Sequence, residues 1–252
     1  MAAERFSSQD AYRDYQQSVA RKAILPLLHR ARITLRDKRL LDVGCGTGGM
    51  TAVWAAEGAR TVGLDIDAPR LAGLQGRFVA GNVTQLPFRD GAFDLVFAHD
   101  CLEHVGALDA ALSEIARVLA PGGTAFVTFP PFYSAYGGHQ QGSRMWLKYL
   151  PFGHLLPSRL WLSLAGNSPY SAMFRSLSRL SLRRFESAVK SSPLVIEKQF
   201  TFIIRPEVAL RAGLPEIGAS VLGRLPILRE LAVGGAFYVL GRADDGTKSL
   251  FQ

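Results

Sequence analysis

The stretch from residue 39 to residue 56 reads RLLDVGCGTGGMTAVWAA and decides the fold of the chain. Its first five residues are mostly apolar, its next six include four glycines, and the rest is again apolar. This order is typical of a buried strand, a tight loop and an amphipathic helix, which together open a strand–helix–strand unit. Glycine has no Cβ, so Gly44, Gly46 and Gly48 can take positive φ and let a ligand lie against the loop backbone.

An acid closes the next predicted strand. Residues 60–64 are a second apolar run, and Asp65 follows it, 23 residues after Asp42. Dinucleotide-binding folds place an acid on a ribose at about this separation. The loop spacing is Gly-x-Gly-x-Gly, whereas pyrophosphate-binding loops use Gly-x-Gly-x-x-Gly, which argues against a nicotinamide enzyme. The presence of Asp65 also argues against a purely structural glycine loop that only reverses the direction of the chain.

Four segments together resemble the motifs of class I S-adenosylmethionine-dependent methyltransferases of the small-molecule type. They are DVGCGTGG, GLDID, FDLVFAHDCLEHV and LAPGGTAFVTF, and the resemblance covers roughly residues 35–130. It implies an α/β fold with a Rossmann-like, doubly wound sheet of seven strands whose last strand is antiparallel. It also implies S-adenosyl-L-methionine as the cofactor. We expect one methyltransferase domain over 1–252, with an N-terminal helical cap (1–34) and a lid insertion between strands five and six (130–193).

The resemblance assigns cofactor-binding roles residue by residue. Asp42 and the glycine loop are expected to hold the methionine moiety, Asp65 the ribose hydroxyls and Ile66 one adenine face. Asn82 stands where relatives usually carry Asp but keeps an acceptor oxygen for the adenine amino group. The expected set is Asp42, Gly44, Cys45, Gly46, Gly48, Asp65, Ile66, Asn82, Val83 (through its backbone), His99 and Tyr15.

The leading segment, residues 9–30, has apolar side chains at three- and four-residue steps and predicts a helix. In relatives such a helix lies over the cofactor. Tyr12 or Tyr15 is expected to touch the cofactor, and packing of both rings on the core is the alternative.

The candidate catalytic residues follow the predicted fourth strand or lie in the insertion. A hydroxyl acceptor must lose its proton as it attacks the methyl group, and histidine is the side chain suited to accept it near neutral pH. His139, in a polar glycine-rich loop, is the first candidate, followed by His99, Asp100 and His104. For His104 a structural role or a position near the cofactor is the alternative. An amine or carboxylate acceptor needs no base, because proximity and in-line geometry then do most of the work.

Composition narrows the class and location of the protein. Cys45 and Cys101 have no metal-ligand spacing, so no metal site is expected and both are interpreted as reduced, intracellular thiols. Cys101 is interpreted as a small buried residue, with a nucleophile as the alternative. The polar start predicts no signal peptide, and no apolar run reaches the roughly 20 residues of a membrane span. We expect a cytoplasmic protein, with peripheral contact to a membrane surface as an option.

Nearly all of the net charge of +8 lies in residues 134–190, which carry eight Lys or Arg side chains and one acid, Glu186. Aromatic and leucine residues alternate with these cations over 145–162. Four interpretations stay open: a lid over the acceptor pocket, a lid that also docks on an anionic membrane surface through 144–184, an RNA-binding face, and a solvated basic helix. Nucleic acid is the least favoured partner, because phosphate contacts require more cations and fewer leucines.

These observations predict a methyltransferase that transfers a methyl group to oxygen of an amphiphilic or lipid-like small molecule. Methylation of carbon or nitrogen in a similar acceptor is the alternative within enzymes. A catalytically silent cofactor-binding interaction module is the alternative from another class.

Overall fold

A mixed sheet of eight strands runs through the chain in the computed structural model, which describes residues 8–140, 143, 145–165, 169–219 and 225–243. Across the sheet the order is β3-β2-β1-β4-β5-β8-β6-β7. In chain order the strands are β1 (Arg39–Val43), β2 (Arg60–Asp65), β3 (Phe78–Ala80), β4 (Phe93–His99), β5 (Leu119–Phe129), β6 (Leu194–Ile204), β7 (Ile217–Gly218) and β8 (Gly235–Arg242).

Strands β1 to β5 are parallel to one another. Val43 pairs with both Leu64 and Ala98, so β1, β2 and β4 end side by side. The strand order reverses between β1 and β4, and ligands of open α/β sheets bind beyond the carboxyl ends of the strands at such a reversal. The segments that follow these strands therefore meet at one edge of the sheet, called the carboxyl edge below.

Helices cover both faces of the sheet. They are α1 (Gln9–Val19), α2 (Leu25–Ala31), α3 (Gly49–Ala56), α4 (Ala68–Leu71), α5 (Leu108–Val118), α6 (Ser158–Ala165), α7 (Pro169–Ser176), α8 (Leu182–Lys190), α9 (Pro206–Ala212) and α10 (Pro226–Ala232). A π turn, Ala20–Ile24, joins α1 to α2, so the helix predicted over 9–30 is one continuous run. Pro26 in α2 has no N–H to bond the carbonyl of residue 22, which accounts for the widened turn.

Alternate residues of the strands supply two cores. Leu40 and Phe97 pack with Trp54 on the face covered by α1 to α3. Leu41 and Phe185 belong to the opposite core, which α5 and α8 cover. The period of two in a strand separates these neighbours onto opposite faces. The predicted doubly wound fold is confirmed.

The antiparallel end of the sheet differs from the expectation in one respect. β8 lies between β5 and β6 and is antiparallel to both, so the predicted antiparallel last strand is confirmed. The sheet nevertheless has eight described strands and not the predicted seven, because the segment between α9 and α10 contains β7. α9 ends at Gly213, whose φ is 65°, and the chain returns beside β6, where Ile217 pairs with Ile204.

The insertion, residues 130–193, forms a small cluster of its own around the fully buried Trp161. Phe132, Leu147 and Phe174 complete that cluster. A single solvated basic helix is not formed by Arg175, Arg179 and Arg183. Arg175 lies in the last turn of α7, Arg179 lies between α7 and α8 with φ of 53°, and Arg183 lies in the first turn of α8. Within the described ranges, no helix has both the length and the apolar composition that crossing a membrane requires.

Candidate functional site

The glycine loop leaves β1 at the carboxyl edge and turns directly into α3. Gly44, Gly46 and Gly48 have φ of 71°, 57° and 72°, a left-handed conformation that favours glycine. A Cβ at Gly44 would lie 2.6 Å from the sulfur of Cys101. The strand–loop–helix order predicted from residues 39–56 is therefore what the structure shows, and the loop lies against β2, where the Gly44 amide donates to the Leu64 carbonyl at 2.7 Å.

Asp65 ends β2 against this loop. Its Oδ2 accepts a hydrogen bond from the Gly46 amide at 2.8 Å, and its Oδ1 accepts one from the Asp67 amide at 2.9 Å. A carboxylate has about four acceptor positions, so Asp65 keeps capacity for two ribose hydroxyls. The next side chain, Ile66, is apolar yet 75% exposed, as an adenine-facing residue would be before the cofactor binds.

Asp42 is a buried carboxyl group under the loop, only 2% exposed. The Thr51 hydroxyl donates a hydrogen bond to its Oδ2 at 2.6 Å. Burial raises the pKa of Asp42 from 3.8 to about 7, against the opposing effect of the Thr51 hydrogen bond. A cationic group placed nearby would relieve this cost, and the ammonium of a methionine moiety has that charge.

Gln16 in α1 fixes the loop from above, and the sequence analysis missed it. Its Nε2 donates to the Cys45 carbonyl at 3.1 Å, and its Oε1 accepts from the Thr47 hydroxyl at 2.8 Å and the Gly49 amide at 3.0 Å. Arg13 adds a bond from its Nε to the Thr47 carbonyl at 3.1 Å. Gln16 lies on the predicted helix one turn after Tyr12. Its place on the same helix face as Tyr12 is a sequence signal that could have indicated a contact with the loop.

Of the two tyrosines considered for cofactor contact, Tyr12 lies nearer the loop. A Cβ at Gly46 would be 3.4 Å from the Tyr12 ring, and burial raises the pKa of Tyr12 to about 12. Tyr15 packs against the core beneath α1. A cofactor contact of Tyr15 stays a prediction.

Asn82 and Val83 follow β3, next to the end of β2. The Asn82 Oδ1 accepts a hydrogen bond from the Thr84 amide at 3.0 Å, so it has one acceptor position left for an adenine amino group. Val83 is buried.

His99 and Asp100 end β4 within a buried charge cluster. The Thr128 hydroxyl lies 2.7 Å from His99 Nδ1, and His99 Nε2 lies 3.9 Å from carboxylate oxygens of both Asp100 and Glu207. Arg205 pairs with Asp100 at 2.8 Å and with Glu207 at 2.9 Å. Burial alone would raise the pKa of Asp100, but the Arg205 guanidinium outweighs it and lowers that pKa. Asp100 is thus a salt-bridged carboxylate, and this argues against it as a proton acceptor.

Arg205 and Glu207 were not predicted as site residues. They follow β6 and reach the carboxyl edge only because β6 joins the sheet through β8. No local motif marks them, and Arg205 lies 105 residues from Asp100 in the chain.

His104 and His139 form a second cluster with Glu103. Their rings are stacked, with centroids 5.2 Å apart and planes within 11°. His139 Nε2 lies 3.2 Å from Glu103 Oε1, and His104 Nδ1 lies 2.8 Å from the Ser176 hydroxyl. Burial lowers the pKa of His104. Burial also acts to lower the pKa of His139, but the hydrogen bond and the charge of Glu103, together with the charge of Asp100, outweigh burial and raise it. The four predicted catalytic side chains therefore lie in two groups at the carboxyl edge.

Comparison with known proteins agrees with this geometry. Residues 41–127 match the family described as "Methyltransferase domain". Demethylmenaquinone methyltransferase of Thermus thermophilus is 41% identical over 106 residues, which are 37% of this chain and 48% of that protein. The chain thus spans about half the length of the curated relatives it matches.

Two solved structures have the same fold. An S-adenosylmethionine-dependent methyltransferase from Mesorhizobium loti has a TM-score of 0.57 and 18% identity, over 86% of this chain and 96% of that one. Geranyl diphosphate C-methyltransferase from Streptomyces coelicolor, in complex with Mg²⁺, geranyl diphosphate and S-adenosyl-L-homocysteine, has a TM-score of 0.54 and 18% identity, over 82% of this chain and 74% of that one.

The ribose role of Asp65 gives a first testable prediction. Asp65→Ala removes charged hydrogen bonds worth about 1.5–3 kcal/mol each, so calorimetry should show S-adenosylhomocysteine binding weakened about 100-fold. Asp67→Ala, in the exposed ion pair with Arg70, is the matched control and should bind normally. Binding of Asp65→Ala at wild-type strength would refute the role.

Asp42 gives a second prediction, on stability against pH. Its pKa is raised to about 7 in the folded chain, so it disfavours folding increasingly as pH rises from about 4 to about 7. Asp42→Asn does not titrate. The unfolding free energy of wild type minus that of Asp42→Asn should therefore increase by about 3 kcal/mol when the pH falls from 7.5 to 4.5. Urea unfolding without cofactor measures it, and a difference that is constant with pH would contradict it.

Proposed function

Starting from a chain whose residues 41–127 are a class I S-adenosylmethionine-dependent methyltransferase domain, we propose that it methylates an oxygen of an amphiphilic, lipid-like small molecule. The observation that carries this proposal is the position of His99. It ends β4 at the carboxyl edge, beside the glycine loop, and carboxylates flank its Nε2.

The cofactor would lie along the glycine loop. Asp65 would hold the ribose hydroxyls, the backbone of 44–48 the methionine part, and Ile66, Asn82 and Val83 the adenine. Asp42 would face the ammonium group. When bound, S-adenosylmethionine supplies an electrophilic methyl group at the carboxyl edge.

His99 would accept the proton of the acceptor hydroxyl. The Thr128 contact occupies Nδ1 and leaves Nε2 without a hydrogen bond of its own among the described residues. A proton taken by Nε2 would create an imidazolium 3.9 Å from Asp100 and Glu207 oxygens, which stabilise that charge. Arg205 holds both carboxylates in place. His139 is less suited to this step, because its Nε2 already lies in a hydrogen bond with Glu103.

Transfer to carbon is the second candidate. The carbon methyltransferase among the structural neighbours has an isoprenoid ligand, geranyl diphosphate, which also favours an acceptor of that amphiphilic kind. The alternative from another class is a catalytically silent module, which would bind S-adenosylmethionine but would methylate no acceptor.

Release of S-adenosylhomocysteine with matched phenol, amine and carbon acceptors that carry isoprenoid tails tests the proposal. We expect turnover of the phenol, and His99→Gln should lower kcat by about 10²–10⁴ without weakening S-adenosylhomocysteine binding. His29→Gln, an exposed histidine in α2, is the control. Wild-type kcat in His99→Gln would exclude the base role, and absence of turnover with all three acceptors would favour the silent module.

The insertion would bring such an acceptor from a lipid surface. Several large apolar side chains there are exposed, among them Trp146 at 61% and Tyr149 at 69%. Leu150, Phe152, Leu155, Leu156, Leu160 and Leu164 are also exposed. Arg159, Arg183 and Arg184 are exposed in the same segment. Aromatic rings at headgroup depth beside cations suit an anionic membrane surface. Arg144 and the side chain of Lys148 lie outside the described part of the chain.

Sedimentation with phosphatidylserine vesicles tests this surface. Binding should occur at low salt, weaken at high salt and fall in a Trp146→Ser, Tyr149→Ser double variant. Leu214→Ser, at a 54% exposed apolar residue outside the insertion, should bind like wild type. Failure to bind at low salt would remove the membrane role and leave the methyl-transfer proposal standing.

A further inference from the structure

We propose that Glu103, His104 and His139 form a binding site for one divalent metal ion of the zinc type. One ligand atom from each residue can be chosen so that all three lie within 4.8 Å of one another. Glu103 and His104 are adjacent in the short turn after β4, and His139 comes from the insertion. The metal would link the insertion to the carboxyl edge. This inference does not depend on the methyl-transfer reaction.

Glu103 is the first reason. It is only 2% exposed, and its Oε1 interacts with His139 Nε2. Its Oε2 is buried and, among the described residues, has no hydrogen-bond partner. A buried carboxylate oxygen left unpaired destabilises the folded chain. A cation held between Glu103 and the two histidines would remove that cost.

The tautomer of His104 is the second reason. The Ser176 hydroxyl donates its proton to the Met173 carbonyl at 2.7 Å. Its contact with His104 Nδ1 at 2.8 Å must then be one in which the ring N–H donates to the hydroxyl oxygen. A neutral His104 therefore has its lone pair on Nε2. Metal-binding histidines are oriented in this way, with the other ring nitrogen donating to a fixed acceptor.

The ligand set indicates the kind of metal. Two imidazoles and one carboxylate bind Zn²⁺ and neighbouring first-row ions at about 2.0–2.2 Å and leave positions open for water or an acceptor oxygen. The three ligand atoms lie within 4.8 Å of one another. Side-chain shifts of about 1 Å would bring each of them to about 2.0–2.2 Å from a single ion. The expectation of no metal site rested on the spacing of Cys45 and Cys101. The three residues of this site have no local spacing signal, because His139 lies far from Glu103 in the chain.

Calorimetric titration of the chelator-treated full chain with ZnCl₂ tests the site, and visible absorption of the Co²⁺ form reports its coordination. We expect one ion per chain. Glu103→Gln and His139→Asn should abolish saturable binding, and Ser176→Ala, which removes only the orienting hydroxyl, should weaken it about 10–100-fold. Ser163→Ala is the matched control, since Ser163 is an exposed serine whose hydroxyl also bonds the carbonyl three residues back.

Retained S-adenosylhomocysteine binding shows that each variant is folded. If Glu103→Gln loses it, His139→Asn decides the result. Zinc binding at wild-type affinity in folded Glu103→Gln or His139→Asn would overturn the proposal. So would the absence of saturable zinc binding by the wild-type chain.

Discussion

The hydrogen bond from the Gly46 amide to the Asp65 carboxylate holds the loop after β1 against the end of β2. Three residues of the loop are in the left-handed region, and the amides of Gly44 and Cys45 add hydrogen bonds to the Leu64 carbonyl of β2 at 2.7 and 3.1 Å. The same carboxylate also fixes the backbone of Asp67. One buried acid therefore positions both walls of the crevice in which a nucleoside would lie, and the residues assigned to the cofactor take their places from it.

Two further segments, α1 and the turn after β4, contact the glycine loop. Gln16 in α1 bonds three groups of the glycine loop, and the turn after β4 places Cys101 against Gly44. The loop is thus packed between the leading helix and the segment that bears the candidate catalytic residues. A change in either neighbour would shift the crevice, since buried contacts of this kind leave little free volume.

The parts predicted well from sequence are those where local pattern and packing agree. Apolar runs marked β1 and β2, and the glycine-rich turn identified the loop after β1, because buried parallel strands and left-handed backbone have direct signatures in residue type. Gln16, Arg205 and Glu207 were missed for a different reason. Their roles depend on contacts across the tertiary fold, and no spacing in the chain encodes them. The insertion was recognised by charge and aromatic content, but its division into separate helices was not.

The place of β8 between β5 and β6 affects how the protein is assembled on the ribosome. β6 has no described partner on its inner side until β8, which comes later in the chain, has emerged. Strands β1 to β5 and the glycine loop can pair earlier, since they need only segments already synthesised. Arg205 and Glu207, directly after β6, reach His99 only once β8 has joined the sheet. The glycine loop and Asp65 can therefore come together before the charge cluster around His99, and the nascent chain acquires these two parts in that order.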